Sequence, residues 1–180
     1  MATWSQFAAA SPRLAAAIYG LVHQYGPGLG YLATVRSDGG PRVHPVSPVI
    51  VDGSLYCFVI DSPKRRDLDR DGRYALHSFP PEDRDDEAYL TGHAVPVTDP
   101  AQVRRLASQM HADPSTDWRL YEFTVDVAMV ARHAGAHSLD PHRPEYHIWR
   151  DTGTGRAPRR PAGRRRVPAQ ACDDQLNRLQ

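Results

Sequence analysis

Between residues 29 and 60 the chain alternates apolar, β-branched runs with tight-turn signals, and this alternation restricts the fold more than any other feature. Leu29–Arg36 has strand character, and Ser37-Asp38-Gly39-Gly40 is a hairpin turn. Arg42–Val51 is extended, Asp52-Gly53 is a second turn, and Leu55–Ile60 (LYCFVI) reads as a buried strand. Three strands joined by two tight turns predict an antiparallel meander. The middle run carries Pro41, Pro45 and Pro48. Proline has no N–H to give to a ladder, so this strand is expected at an edge, bent or bulged.

The flanking sequence adds helices and further strands. Residues 3–24 read as helical: Thr3 and Gln6 form a capping box, and Trp4, Phe7, Leu14, Ile18, Leu21 and Val22 recur at helical spacing. Ser11-Pro12 starts a second helical piece, and the run from Gly26 to Gly30 lacks the G-x-G-x-x-G spacing and reads as a linker. Ser62-Pro63 opens a short helix that ends at Asp71-Gly72. Arg73–Phe79 is a strand, Pro80–Asp86 an acidic loop, and Glu87–Val97 a strand with an expected bulge at Gly92. Asp99-Pro100 starts a helix to about Met110; Leu120–Val130 and His147–Arg150 are the last strands. Five to seven antiparallel strands with peripheral helices make a mainly β, α+β fold, best read as a closed or split barrel. Three regions follow: a helical segment over 1–28, a barrel over 29–150, and a Gly/Pro/Arg-rich tail over 151–180.

The tail holds seven arginines against Asp151, Asp173 and Asp174, whereas residues 1–150 are mildly acidic. Charge alone suits such a tail to nucleic acid, but it lacks interleaved aromatics and recognition motifs, so nucleic acid is not an expected partner. No apolar run reaches the length of about 18 residues needed to span a bilayer, and the N-terminus lacks a basic segment before an apolar one. A cytoplasmic location with Cys57 and Cys172 reduced is the expectation. His133 and His137 have i, i+4 spacing, but Gly135 lies between them and no acidic partner completes a motif, so no metal is expected. No glycine elbow or Ser-His-Asp order appears, and no residue is singled out as a general acid or base.

The stretch from Asp61 to Leu68 (DSPKRRDL) carries the chemistry. Ser62 stands at a helix N-cap, with Lys64 and Arg65 in the first turn. The positive end of the helix dipole disfavours cations there, and a bound anion reverses that conflict. Lys64 is the only lysine beside 21 arginines. Arg42, at the start of the strand after the first turn, is a second cation able to approach the same anion.

These segments together resemble the pyridoxamine 5′-phosphate oxidase-like family. The residues that carry the resemblance are Gly30–Val46 (GYLATVRSDGGPRVHPV), Gly53–Phe58 (GSLYCF), Ser62–Leu68 (SPKRRDL) and Gly72–His77 (GRYALH). It covers roughly residues 27–98. The resemblance implies an FMN-binding split β-barrel that forms a homodimer, with the cofactor at the dimer interface, and an FMN-dependent oxidoreductase acting on an unspecified small molecule. It implies that Arg42 and Lys64 contact the flavin phosphate, with Ser62 beside them and Arg65 standing in for the cation lost to Pro63. Val43, His44, Pro45, Val46 and Ser47 would line the ring, Phe58 and Val59 would flank it, and Trp149 matches a late tryptophan near the flavin. The alternatives are the deazaflavin coenzyme F-420 or haem in the same barrel, or a binding module without turnover.

Overall fold

The computed structural model describes residues 1–133 and 144–153. Its proline-bearing run divides at Ser47-Pro48 into β2 (Pro41–Val46) and β3 (Val49–Val51). β2 pairs only with β1 (Gly30–Val35), and β3 only with β4 (Ser54–Ile60). The expected three-stranded meander is therefore two hairpins. The strand path runs β2-β1-β5-β6-β7-β4-β3, where β5 is Arg73–Ser78, β6 Glu87–Pro96 and β7 Trp118–Phe123. Its two ends, β2 and β3, are neighbours in sequence. Pro41 and Pro45 thus sit on an edge strand, where a missing N–H costs no ladder bond, and Pro48 sits in the link between strands. Gly28 lies against the link: a Cβ there would fall 1.9 Å from the Pro48 carbonyl oxygen. Within the expected linker, position 28 is glycine for that close approach.

The run Leu120–Val130 is likewise two strands, β7 and β8 (Val127–Arg132). β6 serves both: its first half pairs with β8 and its second with β7. From Thr91↔Val127 to Ala94↔Phe123, β6 advances three residues while the facing chain advances four. The extra residue lies in the Thr124–Asp126 break, not at Gly92, whose own strand keeps unbroken register with β5. Gly92 is needed for another reason: a Cβ there would sit 1.9 Å from the Thr124 carbonyl oxygen. Splitting these two runs raises the expected seven strands to nine, closing with β9 (Glu145–Arg150) beside β8.

The core follows from alternation along β4. Leu55, Cys57 and Val59 face the main cluster. Tyr56 and Phe58 face a second cluster with Leu106 and Leu120, beneath α4 (Pro100–Gln109). The N-terminal segment forms α1 (Trp4–Ala10) and α2 (Pro12–Val22), with the Thr3–Gln6 capping box in place. Trp4, Phe7, Leu14, Ile18 and Val22 lie in the same main cluster as the barrel strands. Among the described residues, no helix is long and apolar enough to cross a membrane.

Gly92→Ala should therefore destabilise the fold at the upper end of the about 1–3 kcal/mol typical of overpacking, because backbone, not a side chain, must yield. Urea denaturation of the variant beside the wild type measures this; an unchanged midpoint would contradict the close approach at Thr124.

Candidate functional site

The helix α3 (Pro63–Arg70) is charged at most positions, and its only apolar residue past the opening proline is Leu68. Yet Asp67 is buried, at 3% exposure. Its Oδ2 accepts from the Arg42 Nε at 2.7 Å and from the Thr34 hydroxyl at 3.0 Å. Its Oδ1 accepts from Arg70 at 3.3 Å, and Arg70 also donates to the Val35 carbonyl. Thr34 and Arg42 are directly opposed across the β1–β2 ladder, so both side chains leave the same face. Burial pushes the Asp67 carboxyl upward, but the bonds from Arg42, Thr34 and Arg70 outweigh it and hold the group below the usual carboxylate range. Asp67 is thus a charged junction between α3, β1 and β2.

Two cations and an imidazole gather beside this junction. Arg42 is 30% exposed, with Nε committed to Asp67. His44 lies two residues along β2, on the same face. Burial, then the charges of Lys64 and Arg42, push its pKa down against the opposing pull of Asp67, which favours the neutral ring. The His44 Nε2 is buried without a hydrogen-bond partner. Lys64 is half-buried. The other cations of α3 are all paired: Arg65 with Asp117 and Asp61, Arg66 with Asp61, and Arg70 with Asp67. Among the described residues Lys64 has no carboxylate partner.

No family model matches this chain, and no curated protein matches it. Solved structures do. A putative pyridoxamine 5′-phosphate oxidase from Listeria innocua superposes with a TM-score of 0.54 at 16% identity, over 64% of this chain and 95% of that one. A Clostridium acetobutylicum protein related to general stress protein 26, of the pyridoxinephosphate oxidase family, gives 0.54 at 14% identity, over 74% and 95%. The chain therefore shares the split-barrel fold of these proteins. A heme binding protein from Mycobacterium smegmatis shares the split barrel at 20% identity and a TM-score of 0.52, over 73% of this chain; the chain spans only 57% of that protein's length.

Within this split barrel the residues implied by the resemblance separate. Arg42 and His44 share one face of β2, and the charges of Arg42 and Lys64 both act on His44. The Arg65 guanidinium, 13% exposed, is held by both Asp117 oxygens at 2.9 Å and by Asp61 at 3.0 Å. Ser62 occupies the N-cap position, but its hydroxyl donates to the Ile60 carbonyl at 2.9 Å and caps nothing. Val43 and Pro45 are exposed on the opposite face of β2, Val46 enters the core, and Ser47 is exposed at the bend. Val59 is fully buried, while Phe58 meets Trp118 edge-on with ring centroids 5.0 Å apart. Trp149, on β9, packs against Phe7 at 4.9 Å. The Cys57 thiol is pushed up to about 12 by burial, which leaves it protonated and inert. Sequence reasoning quoted Asp67 only within a pattern and missed Thr34. A signal existed: Thr34 and Arg42 stand equally far from Asp38 in the turn, so the hairpin pairs them. Of the late histidines, His133 lends its backbone N–H to Asp86. His137 and the tail from residue 154 lie outside the described residues, and no metal cluster is found among those described.

Because Asp67 titrates lower in the fold than unfolded, its contribution to stability is full above its ordinary value and is lost as pH falls through the folded value. The gap in melting temperature between wild type and Asp67→Asn should narrow progressively as pH falls below about 5. A gap that stays constant across that range would show that Asp67 carries no buried charge.

Proposed function

We propose that this chain is an FMN-dependent oxidoreductase that binds FMN at a homodimer interface. The observation that carries the reading is Lys64, half-buried and without a carboxylate partner among the described residues, on a helix whose other cations are all paired. An unpaired cation held partly out of water favours an anion. The donors suit a phosphate: a guanidinium with its terminal nitrogens uncommitted among the described residues, an ammonium, and a helix start whose serine side chain makes no cap. Flavin, when bound, supplies the electron transfer. The chain's own residues bind and orient. Arg42 and Lys64 take the phosphate, neutral His44 presents an imidazole without adding charge, and β2, paired on one side only, keeps backbone groups for the ring's polar edge.

A second copy is supported by the outer face of the first hairpin. Tyr31, Ala33, Val43 and Pro45 share that face by register, and Val43 is 58% exposed. Exposed apolar side chains grouped on one strand face suit an interaction site. Haem is the second reading. It is favoured by the His44 Nε2, which has no hydrogen-bond partner among the described residues, and by the likeness to the Mycobacterium smegmatis heme binding protein. It ranks lower because the His44 Nε2 is closed off within the chain.

Titration of cofactor-stripped protein with FMN, deazaflavin coenzyme and haem tests the reading. Saturable FMN binding, one per subunit, is expected, and NAD(P)H-driven reduction of the bound flavin separates an enzyme from a carrier. Lys64→Ala removes a charge-assisted contact of roughly 1.5–3 kcal/mol, so FMN affinity should fall roughly ten- to hundred-fold without a change in melting temperature. Unchanged affinity in the Arg42→Ala/Lys64→Ala double variant would refute the site; a Soret band without flavin binding would favour haem. Val43→Glu should turn the dimer into monomer on sedimentation, and a dimer that survives it lies on another face.

A further inference from the structure

We propose that Asp67 is the positioning residue of the phosphate clamp, an inference that rests on the FMN reading above. Its carboxylate bonds to Arg42 on β2, and its backbone belongs to the helix that bears Lys64. Arg42 comes from β2 and reaches Oδ2 through Nε at 2.7 Å, which leaves its terminal nitrogens uncommitted among the described residues. Lys64 comes from α3, three residues before Asp67, and so lies on the same helix face. Thr34 pins the same Oδ2 at 3.0 Å, and Arg70 holds Oδ1 at 3.3 Å. The carboxylate therefore fixes the side-chain rotamer of Arg42 and the spacing between β2 and the helix that bears Lys64. An arginine held before the ligand arrives loses less conformational freedom on binding it.

Electrostatics alone predicts the opposite effect. The Asp67 charge lowers the positive potential at the site, so as a mere counter-charge it weakens anion binding. Removing that charge then strengthens binding. As a positioning group Asp67 strengthens binding, and its replacement loosens the clamp. Asparagine keeps one acceptor oxygen and loses both the second oxygen and the charge that holds two arginines. The two roles thus differ in the sign of a single measurement.

That measurement is the ratio of FMN to riboflavin affinity, read by flavin fluorescence in wild type and Asp67→Asn. Riboflavin lacks the phosphate, so the ratio isolates the clamp from ring binding and from general loss of structure. The expected result is a fall of about ten-fold or more in the ratio, with riboflavin affinity within about two-fold of wild type and an unchanged circular dichroism spectrum. A ratio that stays the same or rises in folded Asp67→Asn overturns the positioning role and leaves the FMN reading standing. A wild type that binds riboflavin as tightly as FMN overturns both. Should Asp67→Asn fail to fold, Thr34→Val removes one donor from Oδ2 at constant charge and nearly constant shape. It should lower the ratio by about three-fold, and an unchanged ratio in that variant overturns the proposal.

Discussion

Two residues, Ser47 and Pro48, carry the chain from one end of the strand path to the other, and this short span dictates the curvature of the sheet. Laid flat, the seven strands of the path would set β2 and β3 roughly 29 Å apart at about 4.8 Å per gap. The three steps from Val46 to Val49 reach at most about 11 Å. The sheet must therefore curl until its ends nearly meet. That closure also explains where α3 lies. It leaves β4, at the far end of the path, yet its Asp67 is bonded to β1 and β2.

A helix with Leu68 as its one buried apolar side chain cannot be held by hydrophobic burial alone, and α3 is instead fixed by charge on both flanks. On one side Asp67 meets Thr34 and Arg42. On the other, Arg65 holds Asp117, and Asp69 accepts from Arg119 at 2.7 Å and from the Tyr121 hydroxyl on β7. The exposed pairs contribute little each. The Asp67 cluster differs because its carboxylate is out of water, where a lost partner is costly. The helix ties β1 and β2 to β7, and the candidate anion site lies at its β2 flank.

Local chemistry made most elements legible. Ser37–Gly40 and Asp52-Gly53 mark real turns, the Thr3–Gln6 box caps α1, and Ser62-Pro63 opens α3. The failures share a physical cause. Whether Arg42–Val51 and Leu120–Val130 are one strand or two depends on partners far away in sequence, because each breaks where it changes neighbours. Gly92 reads locally as a bulge, while the reason for glycine is the Thr124 carbonyl on another strand. The site shows the same division. Arg42 and Lys64 were visible as cations near a helix start, but the carboxylates that absorb Arg65, and the one that orients Arg42, are set by tertiary packing.

The single lysine of an arginine-rich chain has a physical rationale in this setting. Around α3 lie Asp61, Asp67, Asp69 and Asp117, and each is engaged by an arginine. A guanidinium offers five donors in a planar fork that matches a carboxylate, so an arginine placed among them is readily captured. Arg65 shows this directly, with a fork on Asp117 and a further contact to Asp61. An ammonium is a compact, strongly hydrated point charge that gains less from such pairing. At position 64 it keeps its charge beside Arg42 and His44 without being drawn into the network that secures the helix. Among the described residues, arginine builds the frame around α3, and its lysine is the cation that no carboxylate engages.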